Sequence, residues 1–372
     1  MKLRLIMACA CPYWVPQGSQ VYLRETALAM AAAGHETSLV VYGYGRPGGD
    51  GVPVRRGRAI PWAPPLLRSG PNWWKPAHDL LLATELRRAA RDTAADLVCA
   101  HNAEALAVSL AAAGRPVLYF AHNAMAEELP CYFTGKPALQ HMARRAGRFF
   151  DTTFPRRAAG VVAPHRRLAG YLALRGCDPA KILVAPPPLD SAFFNGPAPE
   201  PEPQPAVLYT GNQDAYQNLG LLEAAMARVR KSRPGARLVV QSADAPAFPG
   251  AEHGPGADAA SLREALAGDV IVAVPRTAWS GYPVKLLNAM AAGRPVVACA
   301  GAAWPLEDGV NGLVVPDHDA DAFAAAIVRL MDDWKLRHEL GRAARETVLR
   351  HHSPAAFAET VAAFAESLLS PK

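Results

Sequence analysis

Apolar positions along this chain fall into short unbroken runs separated by longer amphipathic stretches, and the order repeats. Residues 3 to 9 (LRLIMAC) form the first run, of a length that predicts a buried strand, and a loop containing Pro and Gly follows through Gly18. Ser19 stands where it can cap a helix running to about Gly34. Thr37 to Tyr42 reads as a second strand, then a helix near 77 to 92, a strand at Asp96 to Ala100, a helix over 103 to 113 and a strand at Val117 to Phe120. Helical sequence over 136 to 150 and short strands near 160 to 163 and 181 to 185 complete the series. Fully apolar strands alternating with helices predict a parallel sheet with helical crossovers.

Between Ala185 and Pro205 the sequence APPPLDSAFFNGPAPEPEPQP breaks the pattern. Its prolines remove backbone donors and block helical conformation, so it predicts a domain boundary. A second α/β series follows: strand Val207 to Tyr209, helix 217 to 231, strands Arg237 to Val240 and Val270 to Val274, helix 284 to 292, and strand Pro295 to Ala298. Near the end, Phe357, Val361, Phe364 and Leu368 share one helical face, which must pack on something and is expected to reach the first domain. The expected division is 1–186, 187–352, and a final helical segment 353–372.

A length of 372 residues agrees with two domains. At 51% hydrophobic and 19% charged residues, the composition is globular rather than disordered. Six scattered cysteines without a Cys-x-x-Cys pair predict buried thiols, not a zinc site or disulfide framework. The first apolar run is too short for a signal peptide, and no stretch approaches the roughly 20 residues that cross a bilayer, so a soluble or peripheral, cytoplasmic protein is expected. Seven arginines, Arg144, Arg145, Arg148, Arg156, Arg157, Arg166 and Arg167, concentrate the net charge of +6. They read either as a site for anionic lipid or phosphate or as a solvated helical face. No zinc-finger spacing or aromatic-basic alternation suggests nucleic acid. No G-x-G-x-x-G follows the first strand, which removes support for a nicotinamide-dependent dehydrogenase.

From Asp269 to Asp319 the segments DVIVAVPR, SGYPVKLLNAMAAGRPVVA and EDGVNGLVVPDHD resemble the second domain of glycosyltransferase family four. GSQVYLRETALAMAAAGHE and KILVAPPPLDSAFF resemble that family's first loop and helix and its interdomain segment. The resemblance implies a GT-B fold: α/β, two Rossmann-like domains facing a central cleft, with the C-terminal helix crossing back to the first. It further implies a nucleoside diphosphate sugar bound mainly by the second domain. A hydroxyl-bearing acceptor, whether a glycan, a lipid-linked glycan or a small molecule, is implied on the first, with retention of configuration and neither metal nor other cofactor.

A departing pyrophosphate needs fixed cations and helix N-terminal amides. Gly281, in the loop Ser280-Gly281-Tyr282-Pro283, permits close backbone approach, and Lys285 in the first turn of the next helix and Arg276 at the preceding strand end are candidates to neutralise the leaving group. Tyr282 and Leu287 belong to the same candidate donor segment. The family's two glutamates, eight residues apart, are replaced by Ser280, at the position implied to touch the sugar, and Asn288, at the ribose position. In TGNQDAYQNLGLL, Gly211 opens the loop, and Asn212 and Gln217 stand where the family has Arg and Lys; Arg276 and Lys285 are expected to compensate.

In the first domain His122 and Asn123 directly follow a strand, at the sheet edge where ligands gather, and His122 resembles the family's histidine near the reacting sugar. His101 and Asn102 follow a strand likewise, with acceptor contact or helix capping by Asn102 as the two readings. Gly18 with Ser19 offers backbone N–H groups to phosphate or acceptor, or simply a tight turn with a cap. Glu127 and Glu128 read as a base or as solvated helix residues. The segment Pro61 to Arg68, with Trp73, Trp74 and Lys75, reads as an acceptor-site lining, a membrane contact, or ordinary packing of the tryptophans. The reaction expected is sugar transfer by front-face attack, in which the departing phosphate takes the acceptor proton. A catalytically degenerate GT-B binding protein and a GT-B sugar-nucleotide epimerase are the rivals.

Overall fold

The computed structural model describes residues 2–15, 17–46, 51–63, 70, 72–189, 193, 202–246, 248–256 and 258–370. It divides into two compact units, Met1–Pro188 with His352–Lys372, and Leu189–His351. Of the proline-rich boundary, residues 190–192 and 194–201 lie outside the described residues.

In the first unit the strands are β1 (Arg4–Cys9), β2 (Glu36–Val41), β3 (Val54–Arg56), β4 (Leu97–His101), β5 (Val117–Phe120), β6 (Gly160–Ala163) and β7 (Ile182–Val184). They form one sheet in the order β3-β2-β1-β4-β5-β6-β7, parallel throughout. The crossovers include α1 (Gly18–Ala32), α2 (Lys75–Asp92), α3 (Ala103–Ala112), α4 (Met125–Cys131), α5 (Pro137–Thr153) and α6 (Arg166–Leu174). The chain winds outward one way from β1 and the other way from β4, so the switch point where ligands collect lies beyond the ends of these two strands.

The final helix, α12 (Pro354–Leu369), belongs to this unit. Phe357, Val361 and Ala365 join Leu5, Met7, Leu23 and Leu118 in its core. Gly160 makes the contact possible, because a Cβ there would lie 2.6 Å from Leu368 Cδ1 and 3.0 Å from the Phe364 ring. The four apolar positions at helical spacing are therefore the docking face, as their periodicity demands.

The second unit contains β8 (Ala206–Thr210), α7 (Leu219–Ser232), β9 (Leu238–Ser242), β10 (Glu252–Pro255), α8 (Ala259–Ala265), β11 (Val270–Val274), α9 (Val284–Ala291), β12 (Val296–Cys299), β13 (Leu313–Val315), α10 (Ala320–Asp332) and α11 (Trp334–His351). Its six parallel strands run β10-β9-β8-β11-β12-β13, with the switch point between β8 and β11. Arg337, fully buried on α11, donates from Nη2 to Asp269 Oδ2 at 2.6 Å and to the Glu202 carbonyl at 2.9 Å. One buried ion pair thus ties the incoming chain, the start of β11 and α11 together.

The structure corrects several expectations. Ser19 does not cap α1; the helix begins at Gly18 and its N-cap is Gln17, whose side chain makes no capping bond. The helix expected from residue 217 begins at Leu219, after a 3-10 turn and Asn218 at φ 57°. Ordinary packing of the tryptophans fails for Trp62 and Trp73, which are 74% and 99% exposed. Pro64, Pro65, Leu66, Leu67 and Arg68 lie outside the described residues. The cysteines are mostly buried, and among the described residues no cluster could hold a metal ion. No described helix is long and apolar enough to cross a membrane.

Candidate functional site

In the second unit the switch point brings together the residues after β8 and β11 and the start of α9. Lys285 reaches inward from the first turn of α9, and its ammonium donates to Gln217 Oε1 at 2.7 Å and Tyr209 Oη at 3.0 Å. It lies 4.2 Å from the centre of the Tyr209 ring. The Arg276 guanidinium stands 5.3 Å from the Tyr216 ring centre, and its buried Nε has no hydrogen-bond partner among the described residues. Among the described residues neither cation is in an ion pair. Burial, with the neighbouring Arg276 charge adding to it, holds the Lys285 ammonium well below the usual lysine range.

Two glycines make room for these cations. A Cβ on Gly281 would come 2.5 Å from Arg276 Nη2, so only glycine leaves the guanidinium where it is. Gly211, at φ 113°, lies against the lysine: a Cβ there would be 3.4 Å from Nζ. The N-cap of α9 is Pro283, whose side chain makes no capping bond; the Leu286 amide donates to the Pro283 carbonyl at 2.8 Å, which leaves the Val284 and Lys285 amides as the ones that open the helix beside the cations.

The polar residues of the first loop turn inward. Gln217, buried, donates to Asn212 Oδ1 at 2.7 Å, and Asn212 donates to Asp214 Oδ2 at 2.7 Å and Tyr216 Oη at 2.9 Å. Their amides thus form a brace that positions Lys285. Tyr282 and Leu287 are core residues, packed with Leu286 and Met290. Ser280 and Asn288 are buried, at the loop and on α9 respectively, and neither brings a carboxylate to the site. Sequence reasoning missed Tyr209 and Tyr216, because an aromatic at a strand end or in a loop reads as packing until the structure sets a cation on its face.

In the first unit the ends of β1, β4 and β5 meet α1. His122 is almost fully buried; its Nε2 lies 3.2 Å from Nδ1 of His101, which has no exposed surface. His101 stacks on Phe120 at 4.4 Å, and Tyr22 leans over His122 at 4.9 Å. Burial pushes His122 down to about 3, and burial together with His122 holds His101 well below the usual histidine range. Both rings are neutral at physiological pH, and one proton bridges them. The outer nitrogens, His122 Nδ1 and His101 Nε2, are enclosed, with no hydrogen-bond partner among the described residues. His101 therefore packs against the inner nitrogen of His122 and has no exposed surface of its own.

Asn102 does cap α3, its Oδ1 accepting from the Ala105 amide at 2.9 Å. Glu104 in that helix pairs with Lys75 at 2.5 Å. Glu128 is half-buried and accepts from Tyr132 Oη at 2.6 Å and from the Asn123 side-chain amide. Gly18 opens α1.

Two parallel-sheet Rossmann-like domains, each with its polar residues at the carboxyl edge of a switch point, define the GT-B class. Residues 16–193 match the sequence model of the family described as Glycosyltransferase Family 4, and residues 204–333 that described as Glycosyl transferases group 1; the chain belongs to these GT-B glycosyltransferases. The D-inositol 3-phosphate glycosyltransferase of Kribbella flavida is 31% identical over 208 residues, 47% of this chain and 48% of the relative. The chain thus spans about half the length of the curated relatives it matches. Among solved structures, sucrose-phosphate synthase from Thermosynechococcus elongatus superposes with a TM-score of 0.81 at 19% identity, over 98% of this chain and 99% of the other. Anabaena HepE in complex with UDP and glucose gives 0.74 at 16% identity, over 98% and 100%. At these identities the structures speak for the fold.

Proposed function

We propose that this protein transfers a sugar from a nucleoside diphosphate donor to a hydroxyl-bearing acceptor, with retention of configuration. The observation that carries the reading is the pair Arg276 and Lys285: two cations side by side at the switch point of the second domain, without an acidic partner among the described residues. Such a pair is unfavourable until an anion joins it, and the Val284 and Lys285 amides that open α9 add to the same attraction. The names of the relatives support sugar transfer, and the UDP and glucose held by HepE support a nucleotide sugar as donor.

In this reading Arg276 and Lys285 stabilise the diphosphate as the glycosidic bond breaks. The departing phosphate oxygen takes the acceptor proton, so no side-chain nucleophile is needed; Ser280, in place of a glutamate, agrees with that requirement. Asn288 would bond the ribose. His122, neutral and braced by His101, would orient a sugar hydroxyl in a cytoplasmic reaction that uses no metal. Calorimetric titration with a panel of nucleoside diphosphates, followed by transfer assays with the sugar conjugates of the one that binds, tests the proposal. Binding of none would refute it. Binding with neither transfer nor hydrolysis would favour a binding protein descended from the same fold, and altered donor released without acceptor would favour an epimerase.

A further inference from the structure

The outward side of α5 presents a surface that the site residues do not use. This helix is fixed by a narrow inner face of Ala143, Gly147 and Asp151, all buried. A Cβ on Gly147 would meet the Met125 carbonyl oxygen at 2.3 Å, so the α5 backbone lies directly against the start of α4. Asp151 caps α4, accepting from the Met125 and Ala126 amides at 3.0 Å each, and accepts from Tyr171 Oη at 2.8 Å. The helix is held rigidly by these contacts, which makes what it turns outward informative.

At about 100° per residue, the remaining circumference splits into two arcs. Leu139, Met142, Ala146 and Phe149 fall within about 80° of one another. The three large residues among them are 40%, 64% and 65% exposed. His141, Arg144, Arg145 and Arg148, all exposed, occupy the neighbouring arc of about 100°. Among the described residues none of these three arginines is in an ion pair. A solvated helix face would not expose an apolar stripe of this size, and a surface for nucleic acid would have no use for one at its centre.

We propose that this face of α5 docks the protein on an anionic bilayer. Leu139, Met142 and Phe149 would enter the boundary between headgroups and acyl chains, while the arginines alongside reach up to the phosphates. Trp73 offers a further anchor: it is 99% exposed, and Gly70, three residues earlier, packs against the Tyr132 ring in the connection leading to α5. The inference stands independently of the transferase reading.

The test is co-sedimentation of the full chain with vesicles of phosphatidylcholine alone or mixed with phosphatidylserine, at low and high salt. Binding is expected only to the mixed vesicles and is expected to weaken with salt. Substituting Arg144→Gln, Arg145→Gln and Arg148→Gln together should reduce partition on the order of a hundredfold, given the usual contribution of each basic residue near an anionic surface. Met142→Ser with Phe149→Ser should reduce it similarly, while Arg88→Gln, an exposed arginine on α2, should not. Circular dichroism and thermal unfolding, unchanged in each variant, establish that the fold is intact. Equal binding to both vesicle types, or binding indifferent to these substitutions, would overturn the proposal. So would a dimer that the serine variant converts to monomer, which would make this face a contact between copies of the chain.

Discussion

Replacing Lys285 by methionine separates a structural lysine from an anion-binding one. Methionine keeps most of the stem and removes the ammonium, with its bonds to Gln217 and Tyr209. In the free protein the lost bonds, about 1 kcal/mol each, are offset by removal of a partly buried cation beside Arg276, so the melting temperature should move by no more than a few degrees. In the complex, a hydrogen bond to a charged phosphate oxygen is lost, and at about 1.5–3 kcal/mol this weakens nucleoside diphosphate binding roughly 10- to 150-fold. Titration calorimetry reads the second quantity and scanning calorimetry the first. Because the lysine pKa is depressed in the free protein, an arriving anion raises it. Binding should therefore take up protons, visible as a dependence of the apparent enthalpy on the buffer, and affinity should fall as pH rises through the lysine's folded-state value. A folded variant whose affinity changes by less than about threefold, under about 0.7 kcal/mol, would refute the assignment. A variant that unfolds outright would show instead that Lys285 serves the fold.

Other outcomes follow from the same contacts. Gln217→Glu would set a carboxylate against Lys285; the free protein should become more stable and bind nucleoside diphosphate more weakly, and unchanged binding in titration would contradict the account. The histidine pair should make the protein acid-sensitive. Below the unfolded-state value of about 6.5 the unfolded chain takes up protons that buried His101 and His122 refuse, so stability falls by about 1.4 kcal/mol per pH unit for each ring. For His122 the loss continues down to its folded value of about 3. Urea unfolding across this range should show the slope flatten in a His101→Asn, His122→Asn variant, and an unaltered slope would count against neutral rings. Asp269→Ala should cost about 3–5 kcal/mol, because it strands the buried Arg337 guanidinium. Asp332→Ala, which removes a partner from the exposed pair with Arg233, should cost less than about 1 kcal/mol in the same thermal unfolding measurement.

Periodicity and composition alone determined the two α/β series and the docking face of the last helix, because burial leaves a signature at fixed spacing. Leu5, Met7 and Cys9 lie in the core because β1 is apolar from Leu5 to Cys9, and Phe357 and Val361 because a 3.6-residue repeat puts them on one side. The candidate residues Arg276, Gly281 and Lys285 were legible too, since each sits at a strand end or helix start that the pattern places. Their partners were not. That Gln217 and Asn212 brace the lysine, that Tyr209 and Tyr216 carry the cations on their rings, and that His101 stands behind His122 all depend on chain segments brought together by the sheets. Side-chain chemistry read one residue at a time shows what a group can bond, and only the folded chain decides which bonds are already taken. The exposed tryptophans and the outer arc of α5 teach the same point from the other side. Apolar residues at helical spacing predict burial, and it took the packing of Gly147 and Asp151 against α4 to show which side of that helix the core had already claimed.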